Sequence, residues 1–209
     1  MMELHKALAE IRSIRGQLAR GTKFRGYGPA TLACTGILAM LAAAVQAQYL
    51  QAPARAVSLY LGIWIATAIV SLTLISIETI TRARRLYRTL ANEMIHCAAE
   101  QFLPAIVAGL LVTVVLTRGA PQSLWMLPGL WQIIFSLGVF SSCRVLPPQM
   151  FAVGIWYLVT GLICLTLGTG AFAPWAMGIP FGIGQLLVAA VLQFGDREAD
   201  GDTDADTDT

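Results

Sequence analysis

The residues best equipped for chemistry in this 209-residue chain are Glu93, His96 and Glu100, with Cys97 beside them. Spacings of three and four put both carboxylates and the imidazole on one helical face. The stretch "EMIH" has the Glu-x-x-His form used by di-iron helical bundles, but those centres need a second copy and further glutamates. The only other histidine is His5. Neither a di-iron centre nor a bis-histidine haem is therefore expected, and no metal or cofactor is assigned. The trio reads as an interfacial polar cluster that pairs with Arg85, Arg88 or a basic N-terminal helix. No nucleophile–base constellation is visible, so the sequence leans away from an enzyme.

The uncharged candidates lie deeper. Gln132 and Gln185 sit inside long apolar stretches, where an amide can hydrogen-bond a neutral solute or a neighbouring helix. Trp64 and Trp156 offer ring faces for a ligand or for core packing. Pro104 and Pro180 each interrupt an apolar stretch and remove the N–H that would meet the carbonyl of Glu100 or Ala176. Hydrocarbon cannot satisfy a freed carbonyl, so such breaks are expected to face protein or a wet cavity. Pro104, Pro180, Gln132, Gln185, Trp64 and Trp156 are thus the candidate ligand-binding residues.

The elements that must position them are membrane spans. The chain is 56% hydrophobic and 12% charged, where a soluble domain carries about 25% charged residues. Six windows are long and apolar enough to cross about 30 Å of hydrocarbon, near 30–49, 56–77, 98–117, 123–142, 149–168 and 174–194. None has Asp, Glu, Lys, Arg or His at its middle, which argues against a proton pump or a charge-coupled exchanger. Lys6, Arg12, Arg15, Arg20, Lys23 and Arg25 precede the first span, and Arg82, Arg84, Arg85 and Arg88 follow the second. Arg144 and Arg197 fall on the same side, and only Arg55 and Arg118 on the other. This asymmetry puts both termini in the cytoplasm of a cell inner (plasma) membrane. The segment ahead of the first span is too long for a signal-peptide n-region and holds Glu3 and Glu10, so an uncleaved span is expected. Cys34, Cys97, Cys143 and Cys164 form no CxxC pair and are divided between the two sides, which speaks against a disulfide framework.

Around the membrane domain, 29–195, two amphipathic cytoplasmic helices are expected. Residues 1–28 hold one over 2–20, with Leu4, Ala7, Ile11, Ile14 and Leu18 opposite the basic residues. Residues 78–97 repeat that design with Ile80, Ala83, Tyr87, Leu90 and Met94. Both can lie on anionic lipids at the cytoplasmic face. The tail 196–209 alternates acid with small residues and has nothing apolar to bury, so disorder is expected. Its pattern lacks the glycine and terminal glutamate of a calcium loop.

One pattern recurs along the chain. "LPAIVAGLLVTVVL" at 103–116 returns as "IPFGIGQLLVAAVL" at 179–192, and "GIW" at 62–64 returns at 154–156. Three spans per half is odd, so a 3+3 inverted repeat is expected, with the two proline breaks flanking one shared site. Thr35, Ala39, Ala43 and Ala47 form a small-residue stripe, and Gly178 and Gly182 form a GxxxG; either can pack within the chain or against another subunit. In size and six-span layout the chain is similar to the substrate-binding subunits of energy-coupling-factor transporters, without a shared motif. The fold expected is an all-α polytopic membrane protein. Its expected function is a small transporter, or the substrate-binding subunit of one, for a neutral or weakly polar small molecule. The competing reading is a non-transporting scaffold or regulator that recruits a cytoplasmic partner through the basic helices. A homo-oligomer or a partner subunit fits either reading, and a nucleic-acid partner fits neither. A polar-lined cavity between the third and sixth spans would favour transport; a solid apolar bundle would favour the scaffold.

Overall fold

The computed structural model of the chain describes residues 28–50, 56–86, 91–143 and 148–205, with side chains described except at 83, 85–86, 91–99 and 194–205. Helix α1 is Pro29–Tyr49, α2 Val57–Leu86, α3 Ala91–Gly119, α4 Leu127–Ser142, α5 Met150–Thr166 and α6 Pro174–Ala205. A 3-10 segment, Pro121–Met126, leads into α4, and another, Gly168–Phe172, leads out of α5. Among the described residues there is no strand. In hydrocarbon every backbone polar group must be met within the chain, and a helix does this locally. Proline marks several starts: Pro29, Pro121 and Pro174 open their elements, where a missing N–H costs nothing. Gly168 closes α5 at φ +56°, a left-handed conformation that glycine adopts without a Cβ clash.

Among the described residues five helices are long and apolar enough to cross a membrane, as in a membrane-embedded, multi-pass chain. The sixth apolar helix, α5, has 17 residues, about 25 Å at 1.5 Å per residue, and the Gly168–Phe172 segment extends it. Of the stretch 78–97, expected as one amphipathic helix, the described residues give the two ends. Its first part prolongs α2 to Leu86, and its last part opens α3 at Ala91. The N-terminal segment 1–27 lies outside the described residues, as do 87–90. Helix α6 runs on to Ala205, into the acidic tail expected to be disordered.

Consecutive helices are neighbours, and α6 closes the ring on α1. The two most extensive interfaces are α1 with α6 and α4 with α5, and both are made by backbone approach. A Cβ on Gly178 would collide with Ala43, one on Gly182 with Met40, and one on Gly36 would lie 2.9 Å from the carbonyl of Gly182. The small-residue stripe of α1 and the GxxxG of α6 thus pack on each other within one chain. Thr35, Ala39 and Ala43 are buried there, while Ala47 is exposed. Between α4 and α5 the contact is reciprocal. A Cβ on Gly129 would sit 2.8 Å from the Gly161 carbonyl, and one on Gly161 2.9 Å from the Gly129 carbonyl. Such close approach lets dispersion hold helices together where water supplies no hydrophobic force.

The core has two layers. One, near the start of α1, joins Leu32, Val139, Val153, Tyr157, Val188 and Leu192. The other, at the opposite end, joins Ala43, Leu50, Tyr60, Trp64, Leu127 and Met177. Phe135, Tyr157 and Phe181 fill the space between α4, α5 and α6, with ring centroids 4.7 to 5.6 Å apart. Helix α3 stands outside this core, since none of residues 100–119 is buried.

This packing does not display the expected inverted repeat. A two-fold axis relating the halves would make α4–α5 the counterpart of α1–α2, and α3 the counterpart of α6. Instead α4–α5 is a tight glycine contact while α1–α2 is slight, and half of the α6 span is buried against none of α3. Apolar spans draw on few residue types, so similar strings of Leu, Val and Ala serve a peripheral helix and a central one equally well.

Candidate functional site

The Pro180 break is closed from within the protein. Pro180 has no N–H, so the carbonyl of Ala176 loses its helical donor. Gln132, on α4 and wholly buried, donates from Nε2 to that carbonyl at 3.0 Å, and to the Pro128 carbonyl at 3.3 Å. From α5, Trp156 donates from Nε1 to the carbonyl of Pro180 itself at 3.0 Å. Two of the sequence candidates thus act on a third. Gln132 Oε1 is buried without a partner.

Pro104 is not brought to this place. It is exposed on α3, and α3 and α6 form no packed pair among the described residues. The pairing expected of Pro104 and Pro180 around one site is therefore not what the helices make. Gln185 is buried on α6, where its Cβ would meet a side chain placed on Gly36. Tyr157 lies against Gly184, where any Cβ would collide with its ring. Neither the Tyr157 hydroxyl nor Gln185 Oε1 has a well-formed hydrogen bond. Trp64 and Trp156 are separated as well, one in the layer around Tyr60 and the other beside Tyr157. Of the interfacial trio, Glu100 is exposed; the side chains of Glu93 and His96 lie outside the described set.

The densest group of unanswered polar atoms is one that sequence reading only half identified. It joins Trp64 to Gln46 and Tyr60, where α1 ends and α2 begins. Gln46 and Tyr60 are wholly buried and Trp64 nearly so. Gln46 uses Nε2 to donate to the Tyr60 carbonyl at 3.1 Å. That leaves Gln46 Oε1 buried without a partner, and the Tyr60 hydroxyl with the Trp64 indole beside it, the two making no well-formed hydrogen bond. Buried polar atoms are nearly always paired, and unpaired ones cluster where a ligand or water belongs. The walls are aromatic: Phe172 meets the Tyr60 ring edge-on at 5.3 Å, and the Trp64 ring lies 6.5 Å from it. Among the described residues no charged side chain is buried, in this layer or elsewhere. Gln46 carried a signal, because it follows Thr35, Ala39 and Ala43 along the same buried stripe. Tyr60 carried no such signal.

Chemically the group holds one acceptor (Gln46 Oε1), one donor (the Trp64 indole N–H) and one hydroxyl able to do both. These groups suit an uncharged hydrogen-bonding partner, and the Cys164 thiol is the titratable neighbour of Tyr60. Among the described residues no cluster of His, Cys, Asp and Glu could hold a metal. Cys34, Cys143 and Cys164 are free. Compared with protein-family models, curated proteins and solved structures, the chain has no match.

Proposed function

We propose that this chain is a small transporter, or the solute-binding subunit of one, for a neutral molecule that hydrogen-bonds at Gln46, Tyr60 and Trp64. The observation that carries this reading is the set of three unanswered polar atoms in one buried, aromatic-walled layer. An empty protein that keeps them forgoes about 1–3 kcal/mol for each unsatisfied group. A solute supplying a donor to Gln46 and an acceptor to Trp64 recovers that energy on binding. The positive-inside asymmetry puts Arg82 and Arg84 in the cytoplasm of an inner membrane, so the Gln46 end faces outward and receives solute from outside. The basic segments at 2–20 and 78–97 then rest on anionic lipid.

Thermal unfolding of the purified full chain, screened against uncharged metabolites, tests the proposal. At least one compound with adjacent donor and acceptor groups is expected to raise Tm, and Tyr60→Phe to reduce that rise. A hit whose effect is untouched by Tyr60→Phe and by Gln46→Leu binds elsewhere, and the reading fails.

The filled aromatic centre at Phe135, Tyr157 and Phe181 favours the second reading, a membrane scaffold or regulator with a cytoplasmic partner. Under it, deleting residues 2–20 abolishes function in cells, while Tyr60→Phe and Gln46→Leu leave function intact.

A further inference from the structure

We infer that residues 174–180 of α6 are a lid over the Gln46–Tyr60–Trp64 layer, hinged at Pro180 and latched by Gln132 and Trp156. The lid's purpose rests on the binding proposed above; its existence rests on geometry alone. The segment ahead of the break covers the layer, because Met177 packs in the same cluster as Tyr60 and Trp64. The preceding 3-10 segment lays Phe172 on Tyr60. On the α1 side this lid is held only by shape. Gly178 rests against Ala43, and among the described residues no hydrogen bond ties the segment to α1.

The directional restraints come from the other flank. Gln132 donates to the carbonyl that Pro180 orphans, and Trp156 to the carbonyl of Pro180, both at 3.0 Å. A helix lacking one backbone bond bends there at low cost, and the two side-chain donors grip it on either side of the break. Releasing them lets residues 174–180 tilt away from Tyr60 while the glycine contact at Gly36 and Gly182 holds the rest of α6 on α1. At the outer end of the bundle, water can then meet the Ala176 carbonyl. Gln132 and Trp156 are positioning residues; neither needs to touch the solute.

The test is a distance measurement between spin labels on the full chain in lipid nanodiscs, with the native cysteines replaced and no solute added. One pair, Ser58→Cys with Trp175→Cys, reports on the lid; Ser76→Cys with Leu186→Cys reports on the inner half. All four positions are exposed. Gln132→Leu is expected to raise the population at longer lid distances about five- to tenfold, the worth of one such bond, while the inner pair stays put. Adding Pro180→Ala restores an N–H for the Ala176 carbonyl and is expected to return the lid to its wild-type distance. A distribution unmoved by Gln132→Leu overturns the latch. So does a shift that Pro180→Ala fails to reverse, because lost packing would not be repaired by a backbone N–H. If Gln132→Leu does not fold, Trp156→Phe is expected to raise the same long-distance population, and an unmoved distribution overturns the latch. A chain that binds no solute leaves these distances as stated, and unmoved distances leave the solute screen as stated.

Discussion

At the residue scale, the chain places polar groups in a membrane interior in two different ways. Most hydroxyls are answered locally: Thr67 donates to the Ile63 carbonyl, Thr113 to Gly109 and Ser142 to Gly138. This is the usual accommodation of Ser and Thr in apolar helices. Gln46, Tyr60 and Trp64 are not so answered, which makes them costly unless they do something. Tyr60→Phe removes one orphaned hydroxyl without changing shape. In the solute-free chain it should therefore raise stability by about 1 kcal/mol, or about 2–4 °C in Tm for a chain of this size. Calorimetry or a thermal-shift assay checks this, and a clear loss of Tm would mean the hydroxyl has a partner. The need for a donor at the Ala176 carbonyl was legible from Pro180 alone. Its source was not, because Gln132 lies 44 residues upstream and only the ring order of the helices brings it there.

At the element scale, glycine decides which helices meet. Gly161 has no room for a Cβ, whereas Gly109 on α3 faces open space. Gly161→Ala should force α4 and α5 apart and cost about 1–3 kcal/mol, as overpacking does. Gly109→Ala should instead stabilise by about 0.5–1 kcal/mol through helix propensity. The two Tm shifts of opposite sign would be read from the same unfolding assay. Equal shifts would mean the α4–α5 contact is looser than the backbone indicates. That the apolar windows form helices was legible, since uninterrupted apolar length is what hydrocarbon selects; their ends were less so, with α2 running on to Leu86 and α6 to Ala205. The small faces of α1 and α6 were legible as faces of close approach, but not as each other's partners. A stripe of Ala and Gly records how near a helix comes, not which helix it is. The resemblance between residues 103–116 and 179–192 misled for a related reason: one string faces outward on α3 and the other lines the core on α6.

At the scale of the whole molecule, the six described helices close a ring in which α1–α6 and α4–α5 are the glycine-packed pairs and α2 makes only slight contacts with its two neighbours. The proposed orientation rests on the basic residues, twelve of the 14 Lys and Arg lying in segments assigned to the cytoplasmic side. In intact cells, single cysteines introduced at Ala54 and Arg118 should react with a membrane-impermeant maleimide and one at Arg85 should not; labelling at position 85 would invert the proposed topology. The proposed site then opens outward, toward the solute it would capture. The most direct test of that site is the equilibrium Kd of a neutral compound found by the thermal screen, measured on the purified wild-type chain and on Gln46→Leu. A loss of affinity of about tenfold is expected, since one hydrogen bond to a buried acceptor disappears. Equal Kd values in two equally folded proteins would contradict a solute site at Gln46, Tyr60 and Trp64.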